Sequence, residues 1–241
     1  MTTALVTGSS RGIGAAIAVA LRKRGVRVIG HATRAADAYT IPADFAEPSA
    51  PHALWQAALE GAGGQIDILV NNAGLFFANP LDLSDIAWLD AWEDTLRINL
   101  TAAAQLARFA VRHWLAAEAP EGDVRGRIVH IASRAGHRGD SPEHWHYAAS
   151  KGAMLALHKT IARGYAAQGI LSFAVAPGFT DTAMADDYLA SRGGPALLRD
   201  IPLGRVATPE EIATIAAFCA LDAPSTLTGA TLDANGASYV R

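Results

Sequence analysis

Tyr147-Ala-Ala-Ser-Lys151 sets a phenol and an ammonium four residues apart, which on a helix places them on one face. A free tyrosine ionises near pH ~10 and is poorly suited to moving protons at neutral pH. A neighbouring ammonium favours the phenolate and is expected to bring the group toward the working range. The Y-x-x-x-K spacing alone is common. Ser133 sharpens it, because this hydroxyl directly follows the apolar run 127–132. Ligands of open α/β sheets bind outside the carboxyl ends of the strands, so the serine is delivered to the edge where a cofactor belongs.

A second constellation supplies that cofactor site. Thr7-Gly8-Ser9-Ser10-Arg11-Gly12-Ile13-Gly14 follows an apolar run and opens a helical one. Glycines there permit a tight turn and close backbone approach, so that a pyrophosphate can sit at the positive helix N-terminus. The spacing is G-x-x-x-G-x-G rather than G-x-G-x-x-G. The next strand ends in Gly30-His31-Ala32-Thr33-Arg34, with no carboxylate to accept from a ribose 2′-OH. Arg11 and Arg34 lie within reach of that ribose and would attract a 2′-phosphate, so NADP(H) is favoured over NAD(H). The competing reading makes Arg34 a solvated loop charge.

The elements that must position these groups alternate along the chain. β-Branched runs at 2–7, 26–30, 66–71, 127–132, 170–176 and 230–233 predict strands, with a shorter one at 39–43. Ala/Leu-rich stretches at 12–24, 52–60, 86–117, 147–167 and 210–221 predict helices. Near-continuous apolar strands such as Ile66-Asp-Ile-Leu-Val70 call for cover on both faces. The expected fold is α/β: a single-domain doubly wound (Rossmann-type) parallel sheet of about seven strands with helices on both faces. Only a short segment separates the second strand from 39–43, too little for the usual helical crossover, so a loop or single turn is expected there. Thr208-Pro-Glu-Glu211 reads as a capping box opening the last helix.

Composition narrows the classes. The 241 residues carry 20 Lys+Arg against 23 Asp+Glu, a net charge of −3, which gives no field for gripping a nucleic-acid backbone. Cys219 is the one cysteine, which excludes an internal disulfide, and its apolar surroundings suit a core residue. No apolar stretch approaches the ~18–20 residues of a membrane span. Chemistry-bearing sequence begins at Thr7, leaving no room for a leader, so a cytoplasmic protein is expected.

Together these segments resemble the short-chain dehydrogenase/reductase family over almost the whole length. The resemblance is carried by 7–14, Asn71-Asn-Ala-Gly74, Asn99 in Arg-Ile-Asn-Leu, Ser133, Tyr147-x-x-x-Lys151 and Pro177-Gly178-x-x-x-Thr182. The segments 201–212 and 228–236 are similar to the 3-oxoacyl-(acyl carrier protein) reductase branch, which contains enzymes with many substrates. The resemblance implies that Tyr147 exchanges a proton with the carbonyl or alcohol oxygen. It implies that Lys151 tunes the phenol and binds the nicotinamide ribose, that Ser133 polarises the substrate oxygen, and that Asn99 holds a water linking Lys151 to solvent. Gly8, Ser10, Arg11, Gly12, Ile13, Gly14 and Arg34 are expected around the cofactor, with Asp44 at its adenine and Asn72, Ala73 and Gly74 beside its adenosine ribose. Pro177, Gly178, Thr180 and Thr182 are expected at the nicotinamide end. Ala32 stands where NAD-preferring members carry Asp.

The substrate is less legible. Residues 134–146 hold two Arg and three His that could grip a carboxylate, phosphate or polyol, or could be a solvated loop with Trp145 at a subunit contact. The His137-to-His146 spacing invites zinc, but no carboxylate supports it and no metal is expected. Phe76 and Phe77 are expected to cover the active-site floor or pack between helices, and 183–203 to form a substrate lid. The resemblance implies a homotetramer. The reading is therefore an NADP(H)-dependent oxidoreductase interconverting a ketone or aldehyde and an alcohol. The alternatives are an NAD-dependent sugar or polyol dehydrogenase and, in a different class, a non-catalytic cofactor-binding regulator.

Overall fold

A computed structural model of the chain describes residues 1–34, 37, 39–117, 124–182 and 198–241. Seven parallel strands run in the order β3-β2-β1-β4-β5-β6-β7. They are β1 (Thr3–Val6), β2 (Arg27–Ala32), β3 (Thr40–Pro42), β4 (Ile68–Asn71), β5 (Gly126–Ile131), β6 (Ile170–Pro177) and β7 (Thr231–Ala234). The order reverses between β1 and β4, and a crevice opens at such a switch point, outside the carboxyl ends of the strands.

Side chains alternate across each strand, so both faces need cover. Val6, Val70, Val129 and Phe173 point to one face and meet α1 (Gly12–Lys23) and α7 (Pro209–Leu221) through Ile17, Leu21, Ile212 and Ala216. Leu5, Leu69, Ile128 and Ile170 point to the other face. There they meet α2 (Ala50–Gly61) through Leu54 and Trp55, and α4 (Ala102–Ala116) through Leu106, Ala110 and Trp114. Gly126 allows the Trp114 indole to lie flat on β5: a Cβ at that glycine would sit 2.2 Å from the ring. The indole Nε1–H donates to the Ile66 carbonyl at 2.6 Å, so a large buried aromatic leaves no polar atom unpaired.

The expected strands and the α7 capping box are present. Glu211 N–H donates to Thr208 Oγ1 and Thr208 N–H donates to Glu211 Oε2. Cys219 is buried against the first face. Among the described residues no helix stands between Ala32 and Thr40, and β3 joins the sheet directly. The expected helix 86–117 is in fact α3 (Asp85–Leu96), a π-helical turn (Arg97–Thr101) and α4, with Asn99 inside the wider turn. A short α5 (Ala135–Arg138) precedes α6 (Trp145–Tyr165). Of the expected lid, 183–197 lie outside the described residues.

Candidate active site

The crevice at the β1/β4 switch point is a cleft of about 1630 Å³. Gly8, Ser10, Arg11, Gly12, Ile13, Gly14, Arg34, Asp44, Asn72, Ala73 and Gly74 line it. So do Ser133, Tyr147, Lys151, Pro177, Gly178, Thr180 and Thr182. Asn99 stands just behind the wall: a Cβ on Gly74 would lie 3.2 Å from Asn99 Oδ1 and 3.7 Å from Lys151 Nζ.

Ser133 leaves the end of β5, and its Oγ accepts the Ala135 N–H at 3.1 Å. The serine hydroxyl lies near the Tyr147 phenol and favours its ionised form. Tyr147 and Lys151 project from the first turns of α6, and Lys151 Nζ lies 5.7 Å from the phenol ring centroid. Lys151 is buried and donates to the Ile131 carbonyl at 2.8 Å.

The electrostatic balance differs from the simple expectation that the ammonium pulls the phenol down. Burial pushes Tyr147 up to about 12, with only the neighbouring Ser133 hydroxyl working against it. Burial also pushes Lys151 down to about 8. The ammonium faces a main-chain carbonyl rather than the phenol oxygen, so desolvation outweighs attraction in this arrangement.

Asn99 acts as a brace. Its Oδ1 accepts the Leu75 N–H at 2.7 Å, and its Nδ2 donates to the Leu75 carbonyl at 3.0 Å and to Ser150 Oγ at 3.2 Å. The π turn thereby ties the chain after β4 to α6, one residue from Lys151. On the opposite wall Phe76 stacks on His144 with centroids 4.3 Å apart and meets the Tyr147 ring edge-on at 4.7 Å.

The glycine turn is tied to both neighbouring strands. Asn72 Nδ2 donates to the carbonyls of Thr7 (2.9 Å) and Gly8 (3.1 Å), bridging β4 to the turn. Asn71 turns into the core, donating to the Ala103 carbonyl at 3.2 Å. Gly14 has no room for a side chain, since a Cβ there would lie 2.1 Å from the Gly8 carbonyl oxygen.

The sequence profile of a family described as enoyl-(acyl carrier protein) reductase matches residues 8–236. The 3-oxoacyl-[acyl-carrier-protein] reductase FabG of Salmonella typhimurium is 35% identical, covering 98% of this chain and 97% of its own. That of Vibrio harveyi is 36% identical with the same coverages. The chain belongs to the short-chain dehydrogenase/reductase family. Among solved structures, a candidate NAD(P) dependent gluconate 5-dehydrogenase from Beutenbergia cavernae, with NADP bound at low occupancy, matches with a TM-score of 0.85 and 33% identity. That match covers 98% of this chain and 95% of the other.

As in an NAD(P)-dependent short-chain dehydrogenase/reductase, the cleft suits a dinucleotide. No side chain caps the N-terminus of α1, which leaves its first N–H groups facing the turn. Gly8 and Gly12 have φ of +63° and +55°, which favours glycine and folds the turn back over that end.

Sequence reasoning missed Thr7 and His31. Thr7 Oγ1 accepts the N–H groups of Asn72 (2.9 Å) and Ala73 (3.0 Å). Arg134, one of the two arginines expected from 134–146, lines the cleft in a buried position, its guanidinium 4.7 Å from the Phe179 ring centroid. His31 also lines it, buried beneath the turn. A polar residue flanking a motif was the signal available in each case. The histidines of 134–146 disperse: His137 stacks on Tyr239, His144 on Phe76, and His146 meets Phe77 edge-on.

Proposed function

We propose that this chain is an NADP(H)-dependent carbonyl reductase, run in reverse as an alcohol dehydrogenase, with Tyr147 as general acid and base. The observation that carries the reading is the Ser133–Tyr147 hydroxyl pair beside Lys151 in the same cleft as the glycine turn. A bound nicotinamide supplies or accepts the hydride. Tyr147 Oη gives its proton to the nascent alkoxide, and Ser133 holds the same oxygen and stabilises its charge. Lys151 keeps a positive charge close behind the phenol. Arg11 and Arg34, both exposed on the cleft rim, meet the 2′-phosphate, and Asp44 lies on the adenine side.

The likeness to a candidate gluconate 5-dehydrogenase favours a second reading, a sugar or polyol dehydrogenase. Exposed apolar side chains on α3 (Ile86, Leu89) and Trp145 at the start of α6 support self-association, which we read as a homotetramer. A panel of ketones, aldehydes, sugars and polyols, run with NADPH and NADH, tests the function. Turnover preferring NADPH supports it. Cofactor binding without turnover on any carbonyl or alcohol overturns it in favour of a regulator.

A further inference from the structure

His31 occupies the end of β2, where the connection to β3 has no helix among the described residues. Its ring is clamped from two sides. Nδ1 accepts the Gly8 N–H at 3.1 Å, which fixes the proton on Nε2, and Nε2–H donates to the Ala43 carbonyl at 2.8 Å. Its main chain is pinned as well: His31 N–H donates to Ser9 Oγ at 3.0 Å and Ser9 N–H donates to the His31 carbonyl at 2.9 Å. The ring stacks on Phe45, with centroids 4.2 Å apart and planes 14° from parallel. Gly8, His31, Asp44 and Phe45 all line the cleft.

From this geometry we infer that His31 is a positioning residue for the cofactor, holding the phosphate-binding turn and the Ala43–Phe45 wall in register. It does what a packed crossover helix would otherwise do. The inference rests on the nicotinamide-cofactor reading of the cleft. Both ring nitrogens are used as one acceptor and one donor, so only the neutral Nε2–H ring fits. A proton on Nδ1 would face the Gly8 N–H, two donors opposed, and would release the turn.

Asp44, on the wall after β3, is the charge that favours the protonated ring, while burial opposes it more strongly and holds the ring below its ordinary value. The glycine turn contributes Arg11 and the segment after β2 contributes Arg34, both exposed cations on the rim. The positive end of α1 adds to them against protonation. Cofactor affinity therefore holds through the ordinary histidine range near pH ~6.5 and declines once acidification reaches the lowered value of the buried ring.

The test is direct binding of NADH, followed by fluorescence on the full-length protein from pH 8 to 5, with circular dichroism at each pH. NADH lacks the titrating 2′-phosphate. Wild type, His31→Asn and His31→Phe are compared. Asn keeps an acceptor for Gly8 and does not titrate; Phe keeps the stack and loses both hydrogen bonds. At pH 8 the Phe variant should bind about tenfold more weakly, as two lost hydrogen bonds imply, and Asn should recover most of that loss. Wild-type affinity should fall on acidification while that of His31→Asn stays level, and in turnover the defect should appear in KM for cofactor more than in kcat. A Phe variant as tight as wild type, or a parallel acid decline in His31→Asn, overturns the inference. If the Phe variant does not fold, the pH comparison of Asn with wild type decides. Failure of wild type to bind either NADH or NADPH at pH 8 would instead reject the cofactor reading itself.

Discussion

Ser133 at the end of β5 and Tyr147 on α6, fourteen positions apart (147 − 133), line the same cleft, with the serine hydroxyl near enough to favour the phenolate. Ser133 Oγ is already an acceptor for Ala135 N–H, which leaves its proton available to an oxygen bound in the cleft. Removing the phenolic proton source in Tyr147→Phe should lower kcat/KM by about 10²–10⁴-fold. Ser133→Ala should lower it by about 10²–10³-fold, the usual loss for one oxyanion-stabilising donor. Steady-state kinetics beside a cofactor-binding titration checks both. Near-normal turnover in Tyr147→Phe excludes the assigned role.

His130 on β5 and His158 on α6 lie buried with ring centroids 6.1 Å apart. His158 Nε2 donates to the Gly229 carbonyl at 3.1 Å, and Nδ1 accepts from Ser172 Oγ at 3.1 Å. Burial pushes His130 down to about 3 and His158 down to about 4. Below pH ~6.5 the unfolded chain takes up these protons while the folded chain does not, so stability falls with pH. Each histidine adds a slope of about 1.4 kcal/mol per pH unit, full stability being present above pH ~6.5 and lost progressively down to about 4. Urea midpoints from pH 7.5 to 4.5 check this. His158→Gln, which cannot titrate, should flatten the curve by about one proton; an unchanged slope contradicts the assignment.

Much of the fold was legible because its signals are local. Apolar runs and capping residues mark strands and helix ends, and the glycine turn 8–14 stands directly after an apolar run. The short step from β2 to β3 was legible by counting alone. What escaped was set by three-dimensional neighbours. The π turn around Asn99 has no composition of its own; it exists because the Asn99 side chain must reach Leu75 and Ser150 at once. The direction of the Tyr147 shift was missed because Y-x-x-x-K spacing states proximity to a charge, whereas burial is decided by β5, Phe76 and the wall opposite. His31 was passed over because a lone histidine after a strand has no motif, and its two partners, Gly8 and Ala43, are distant in sequence.

Arg11 and Arg34 are exposed on the rim, and residues 30–34 carry no carboxylate beside them. A charge-assisted hydrogen bond to a phosphate contributes about 1.5–3 kcal/mol, so on the proposed reading each arginine would favour NADPH over NADH by about 10–100-fold. Arg34→Ala should reduce the ratio of kcat/KM for NADPH over NADH by that factor, chiefly through KM for NADPH. The NADH values should change little. An Arg34→Ala enzyme with an unchanged ratio would show Arg34 to be a solvated loop charge.

Thr7 is the structural counterpart of that rim. Its Oγ1 accepts two main-chain N–H groups, from Asn72 and Ala73, and donates to the Val70 carbonyl at 3.2 Å. One buried hydroxyl thus finishes the hydrogen bonding of the chain leaving β4, next to the Asn72 amide that grips the glycine turn. Thr7→Val preserves shape and removes the acceptor, leaving two N–H groups without a partner. Each unpaired buried group costs about 1–3 kcal/mol, so a loss of about 2–6 kcal/mol is expected for the two. Thr7→Ser retains the oxygen and gives up one methyl, at a cost near 1 kcal/mol. Urea unfolding ranks the three proteins. Because the strained part is the cradle of the cofactor, bound NADPH should recover part of the lost midpoint in Thr7→Val by mass action. Equal stability of the Val and Ser variants would show that the two N–H groups find other partners, and the bridge from β4 to the glycine turn would then rest on Asn72 alone.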